Sequence, residues 1–122
     1  MHASVLSGIR VLVVEDEVVI ALGLKAILEA AGATVVGPAR TLSAAKELAA
    51  SGDLAAAILD VQLADGTIFP VVHLLTDRGI PFAFHTGGAD AGALAQHGAD
   101  VIIKPAASAK IVAVMARLTR RG

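Results

Sequence analysis

Charged and hydroxyl side chains follow four of the apolar runs in this sequence. Glu15 and Asp16 come after IRVLVV, Asp60 after AAAIL, Thr86 within IPFAFHT, and Lys104 after VII. Carboxylates held close together resist ionisation unless a cation joins them. Mg²⁺ prefers such oxygen ligands, and an ammonium and a hydroxyl stabilise a transferring phosphoryl group. An aspartate can itself be the nucleophile. If the fold brings these residues together, they predict phosphoryl transfer at a Mg²⁺ site.

The apolar pattern predicts five strands that alternate with five helices. The predicted strands are 9–14, 34–36, 55–59, 80–85 and 101–103. The predicted helices are 16–28, 41–50, 67–78, 89–97 and 108–120. Such alternation is typical of an α/β protein with a parallel sheet, helices on both faces and right-handed crossovers. Functional groups of these sheets collect at the carboxyl ends of the strands, where the polar residues above are found.

The ends of these elements are predicted from capping and turn residues. The side chains predicted to cap helices are, in chain order, Asp16, then Thr41 or Ser43, then Asp65 or Thr67. Gly37–Pro38 is predicted to end the second strand, because proline removes a ladder hydrogen bond.

Length and composition exclude several classes of protein. The 122 residues suit one domain over 9–120, preceded by a disordered or short N-terminal segment at 1–8. A net charge of −1 argues against a nucleic-acid surface, and the absence of cysteine excludes disulfides and thiolate metal sites. No apolar run has the length of a signal peptide core or a membrane span, so a cytoplasmic location is expected.

Four segments together resemble the receiver domain of bacterial two-component response regulators, over nearly the whole chain. They are VLVVEDE (11–17), ILDVQLADG (58–66), FHTGG (84–88) and IIKPA (102–106). The resemblance implies a stand-alone, chemotaxis-receiver-like domain with the flavodoxin-like (βα)5 fold. Its five-stranded sheet would have the strand order 2-1-3-4-5.

The resemblance also implies a role for each residue of the site. Asp60 would accept the phosphoryl group, Thr86 would donate a hydrogen bond to it, and Lys104 would pair with its oxygens. The implied Mg²⁺ ligands are Asp16 and Asp60 directly, Glu15 through water, and the backbone carbonyl of Gln62. The Lys104–Pro105 bond would be cis.

The sequence also departs from the usual receiver pattern. Val101 stands where many receivers carry an aromatic switch residue early in the fifth strand, and Ala64 replaces a loop proline. PFAFHTGGA (81–89) is similar to an alphaproteobacterial-type subgroup that lacks this aromatic, with His85 in place of alanine. Receivers of that subgroup are often partners of HWE-type histidine kinases.

As a receiver, the chain would take its phosphoryl group from a sensor histidine kinase, the HWE type being one candidate, or from a phosphotransfer protein. It would assist its own phosphorylation without being an enzyme in the usual sense. Thr86 would then move inward and order the loop at Gly87 and Gly88. That movement would bias a face formed by the fourth helix, fifth strand and fifth helix, which would bind a downstream protein or form a weak dimer.

Other functions remain open at this stage. A phosphate sink, a relay intermediate and a phosphorylation-independent interaction domain are compatible with the same motifs. A haloacid dehalogenase-type phosphatase is disfavoured, because Gln62 stands where that mechanism needs a second acid. A dinucleotide site is disfavoured, because the first strand leads into acids and not into a glycine-rich loop.

Overall fold

The computed structural model describes residues 4–120, in which a parallel sheet lies between two layers of helices. The strands are Arg10–Val14 (β1), Thr34–Ala39 (β2), Ala56–Leu59 (β3), Gln62–Leu63 (β4), Gly66–Thr67 (β5), Phe82–Thr86 (β6) and Asp100–Ile103 (β7). The helices are Val18–Ala30 (α1), Leu42–Ser51 (α2), Phe69–Asp77 (α3), Ala91–Ala95 (α4) and Ser108–Thr119 (α5). None of the helices within 4–120 has the length and apolar character needed to cross a membrane.

The sheet has the order β2-β1-β3-β6-β7, and all four neighbouring pairs are parallel. These are the five predicted strands in the predicted order, so the flavodoxin-like fold is confirmed. The two short strands β4 and β5 form a separate antiparallel hairpin directly after β3. Because every sheet strand runs the same way, the residues that follow β1, β3, β6 and β7 lie along one edge of the sheet.

The core is aliphatic and fills both faces of the sheet. One side packs against α1 and α5, where Leu28 and Met115 are fully buried. The other side packs against α2, α3 and α4 around Phe84. All four residues of β3 are buried, as expected for a central strand covered on both faces.

Two predicted boundaries are wrong, the start of the first helix and the end of the second strand. Asp16 does not cap α1: the helix begins at Val18, and the N-cap residue Glu17 makes no side-chain capping bond. Gly37–Pro38 does not end β2, which continues to Ala39 across a register irregularity opposite β1. Proline is tolerated here because β2 is an edge strand, with a neighbouring strand on one side only. Gly37 adopts a φ of +96°, which suits a bulge.

The predicted cap of the third helix is also wrong. Ile68 is the N-cap of α3 and makes no side-chain bond, so neither Asp65 nor Thr67 has the predicted role. These residues belong instead to the β4–β5 hairpin, and the Asp65 carboxylate accepts hydrogen bonds from α2. For α2 itself the structure selects Thr41, whose hydroxyl accepts from the Ala44 N–H at 3.1 Å.

The described part of the N-terminal segment packs on the domain. Residues 1–3 of the predicted 1–8 segment lie outside the described residues. Leu6 is fully buried, and its N–H donates to the carbonyl of Ala31 at 2.8 Å. Gly32 permits this packing, since its φ is +100° and a Cβ there would lie 2.6 Å from the Cβ of Ser4. The segment therefore closes the core at the end of α1.

Gly23 gives a simple stability prediction. It lies exposed in the interior of α1, and a Cβ added there meets no atom within 4 Å. Glycine in a helix interior is less favourable than alanine by about 0.5–1 kcal/mol, so Gly23→Ala should raise the free energy of unfolding by about that amount. Urea denaturation followed by circular dichroism measures the change. A lowered midpoint would contradict the prediction.

Candidate functional site

Three carboxylates meet where β1 and β3 end. Glu15 and Asp16 follow β1, and Asp60 follows β3, its hydrogen-bonded neighbour. One oxygen from each side chain lies within 4.8 Å of the others. Glu15 is fully buried and Asp60 is 8% exposed, whereas Asp16 is half-buried. The structure therefore brings together all three carboxylates that the sequence analysis selected.

Lys104 places one positive charge against this cluster. Its Nζ lies 2.9 Å from Oε1 of Glu15 and 3.4 Å from Oδ1 of Asp60. The backbone holds it there: the Lys104 N–H donates to the carbonyl of Thr86 at 2.6 Å, and the Lys104–Pro105 bond is cis, as the resemblance implied. Among the described residues, no other lysine or arginine forms an ion pair with these acids.

The pKa values of Asp60 and Lys104 are both raised. Burial raises the pKa of Asp60, and the carboxylate of Glu15 raises it further. For Lys104, burial alone would lower the pKa, but the carboxylates of Glu15 and Asp60 outweigh burial and raise it. One ammonium thus pairs with two of the three carboxylates, and a second cation would relieve the repulsion among them.

The donor set fits a hard divalent cation. The Oε1 of Glu15 is fully buried and, among the described residues, has no hydrogen bond of good geometry. All three clustered ligands are carboxylate oxygens, which are the ligands Mg²⁺ takes, commonly with several waters retained. Glu15, Asp16 and Asp60 can therefore hold Mg²⁺.

The remaining predicted residues lie in or after the strands and turns that follow β3. Thr86 ends β6, the other neighbour of β3, and is 7% exposed. Gln62 lies in β4, two residues after Asp60, and its side chain is exposed. Gly88 has a φ of +105°, a conformation that favours glycine. Val101 is half-buried in β7 opposite Phe84. Beyond it along the chain, Pro105 is exposed.

His85 is a member of the site region that sequence reasoning did not place. It is 4% exposed, and its Nδ1 lies 3.9 Å from Oε1 of Glu15. Burial, with the charge of Lys104, lowers the pKa of His85 to about 4, so the imidazole is neutral at pH 7. The available signal was the alternation along β6, which puts His85 on the same face as Ala83, towards α1 and α5.

Solved receiver-domain structures share the whole fold of this chain. The non-phosphorylated HemR receiver domain of Leptospira biflexa is 28% identical with a TM-score of 0.81, covering 93% of this chain and 96% of that one. This chain has the fold of response regulator receiver domains. The receiver domain of sensor kinase PA1611 from Pseudomonas aeruginosa, 21% identical, has a TM-score of 0.82 over 93% of this chain and 98% of that one. That structure is described with magnesium in its active-site cleft.

Relatives named PhyR match this receiver domain as well. The phyllosphere-induced regulator PhyR of Methylorubrum extorquens is 39% identical over 80 residues, which are 63% of this chain and 30% of that protein. PhyR from Brucella abortus is 27% identical with a TM-score of 0.80, and the match covers 95% of this chain and 50% of that one. The receiver domain thus spans half or less of these regulators. No family model matches the sequence.

Proposed function

We propose that this receiver accepts a phosphoryl group on Asp60 from a phosphohistidine of a partner protein. The observation that carries the proposal is the Asp60 carboxylate, which ends a central strand within 3.4 Å of the Lys104 ammonium and beside two further carboxylates. A buried acid with one fixed cation and a cation-binding cluster is suited to phosphoryl transfer, where catalysis is mainly positioning and charge stabilisation.

Each residue has a defined part in the transfer. A carboxylate oxygen of Asp60 attacks phosphorus in line as the N–P bond to the donor histidine breaks, and an aspartyl phosphate forms. The Lys104 ammonium, already beside Asp60, faces the charge that develops on the phosphoryl oxygens. Thr86 ends the neighbouring strand β6, and its hydroxyl would donate a further hydrogen bond to the phosphoryl group.

The proposed metal site consists of the carboxylates of Glu15, Asp16 and Asp60 and the backbone carbonyl of Gln62. Bound Mg²⁺ would supply charge stabilisation to the phosphoryl oxygens. The three clustered oxygens and the buried Oε1 of Glu15 support this assignment. Magnesium in the cleft of the PA1611 receiver is consistent with it.

The surface beside the cluster favours docking of a helical phosphodonor, such as a histidine kinase or phosphotransfer protein. Three large apolar side chains in the first two turns of α1 are exposed: Val18 by 45%, Val19 by 83% and Leu22 by 57%. Exposed apolar patches commonly mark interaction surfaces. This patch begins two residues after Asp16, whose carboxylate lies within 4.8 Å of that of Asp60, so a protein bound to the patch would lie beside the acidic cluster.

Output by protein contact is the second part of the proposal. The proposed output face is formed by α4, β7 and α5. β7 is an edge strand of the sheet, and Ile103 on it is 45% exposed. The carbonyl of Thr86 accepts the N–H of Lys104, which immediately follows β7, so a shift of the Thr86 backbone would be passed to this face. The regulator names of the PhyR relatives favour such output over a passive phosphate sink.

Intact-mass measurement after incubation with acetyl phosphate and Mg²⁺ tests the phosphoacceptor. We expect one phosphate on the wild type, none on Asp60→Ala, and none on the wild type when a chelator removes the metal. Asp77→Ala is the matched control, because Asp77 is an exposed aspartate on α3.

Beryllofluoride, which mimics the aspartyl phosphate, covers the case of a short-lived adduct. If the wild type shows neither a phosphate adduct nor beryllofluoride binding, Asp60 is not a phosphoacceptor. A phosphorylation-independent interaction domain would then be the better assignment. A phosphate that remains on Asp60→Ala would contradict the proposal in a different way, by placing the modification elsewhere.

A further inference from the structure

The β4–β5 hairpin is attached to α2 through one side chain, Asp65. Its Oδ1 accepts the N–H of Leu42 at 2.7 Å, and its Oδ2 accepts the N–H of Ser43 at 3.2 Å. These are the first two residues of α2, whose N–H groups have no partner inside the helix. The carboxylate therefore completes the helix end across a separation of 22 and 23 residues.

The same hairpin is continuous with the phosphoacceptor. The Oδ1 of Asp60 accepts the N–H of Val61 at 2.9 Å, and the carbonyl of Val61 accepts the N–H of Ile68 at 3.0 Å. Between these two points, Gln62 pairs with Thr67. The chain from 60 to 68 thus forms a closed loop that begins at Asp60 and has Asp65 at its turn.

Close packing accompanies the hydrogen bonds. Gly66 has a φ of +146°, and a Cβ at this position would lie 2.9 Å from the Cδ2 of Leu42. Leu63, in β4, is 8% exposed and belongs to the core beneath α2 and α3. The hydrogen bond from Leu42 lowers the pKa of Asp65, so the side chain carries its charge at neutral pH. The hairpin is therefore held against α2 by charge, hydrogen bonds and contact.

We propose that Asp65 is a positioning residue of the site: by holding the hairpin on α2, it fixes Gln62 beside Asp60 for metal binding. This inference rests on the proposed function. Two-residue strands are too short to be stable alone, so the loop needs an external anchor. Without Asp65, metal binding would have to order the loop, and the lost conformational entropy would weaken the affinity.

Two alanine variants separate this role from simple capping of α2. Asp65→Ala and Thr41→Ala each remove a side-chain acceptor from the N-terminus of α2, but only Asp65 belongs to the loop. The measurements are the Mg²⁺ Kd by calorimetry, the amide resonances of residues 61–63, and the thermal midpoint. We expect both variants to lose roughly 3–6 °C in midpoint. Only Asp65→Ala should raise the Mg²⁺ Kd, by about tenfold, as for other residues that orient metal ligands.

Asp65→Asn serves if the alanine variant does not fold. It keeps one acceptor oxygen for Leu42 and loses the charge. Its Mg²⁺ Kd should therefore be higher than that of the wild type, by less than the roughly tenfold expected for Asp65→Ala. Equal Kd values for the wild type and every folded Asp65 variant would overturn the inference alone. Absence of Mg²⁺ binding by the wild type would overturn the proposed metal site and the inference together, which distinguishes the two failures.

Discussion

Replacing Lys104 by methionine is expected to lower the rate of Asp60 phosphorylation by acetyl phosphate by about 100-fold or more. The reason is geometric: Nζ lies 3.4 Å from the attacking carboxylate and 2.9 Å from Glu15, and partial burial of the Lys104 side chain strengthens these charge interactions relative to water. Methionine keeps most of the side-chain volume and removes the charge. The time course of phosphate incorporation, followed by intact mass, measures the effect.

Lys110→Met is the matched control, since Lys110 is exposed on α5. Its phosphorylation rate should equal that of the wild type. Circular dichroism at the assay temperature establishes that both variants are folded. A folded Lys104→Met protein that is phosphorylated within threefold of the wild-type rate would show that the ammonium does not act in the transfer.

Acid should destabilise the metal-free protein through His85. The pKa of His85 is about 4 in the folded protein, against 6.5 in the unfolded chain. Below pH 6.5 the unfolded chain therefore binds a proton that the folded protein does not, so stability is lost as the pH falls. From pH 7.5 to pH 5 the loss is about 2 kcal/mol.

The variant His85→Leu isolates this contribution, because leucine suits the apolar lining from Ile20 and Leu24 and does not titrate. Glu15 and Lys104, which face His85, stay unchanged in this variant. Urea denaturation in chelator at pH 7.5 and 5 should show a pH-dependent loss that is smaller in His85→Leu by about 2 kcal/mol. His73→Leu, at an exposed position on α3, should keep the wild-type loss. Identical losses in wild type and His85→Leu would contradict the assignment.

Most of the fold could be predicted because the five strands are apolar on both faces and are separated by clear turn residues. The errors concern the ends of helices and strands that are determined by residues distant in sequence. Asp65 is as good a cap for the helix that follows it as for α2, and only the tertiary structure chooses α2. Pro38 stays in a strand because β2 lies at the edge of the sheet, a position that local propensity does not reveal.

The acidic site was predictable for a related reason. Parallel strands bring their carboxyl ends to one edge, so Glu15 and Asp60, which follow the adjacent strands β1 and β3, were expected to be neighbours once the order of the strands was known. Lys104 follows the edge strand β7 and reaches them through its long side chain. His85 was harder to place, because its burial depends on packing by α1 and α5. The position of Gln62 in a hairpin was not predictable, since two-residue strands have no periodicity to detect.

The burial of Leu6 beside Ala31 has a practical consequence for experiments on this domain. Ala31 follows the end of α1 remote from Asp16, and a helix of 13 residues is about 20 Å long. A fluorophore, affinity tag or tethering surface joined upstream of Ser4 would therefore leave the cluster of Glu15, Asp16 and Asp60 accessible. Deleting residues up to and including Val5, in contrast, would expose the fully buried side chain of Leu6. Immobilisation through this end presents Asp60 and the apolar turns of α1 to an incoming donor.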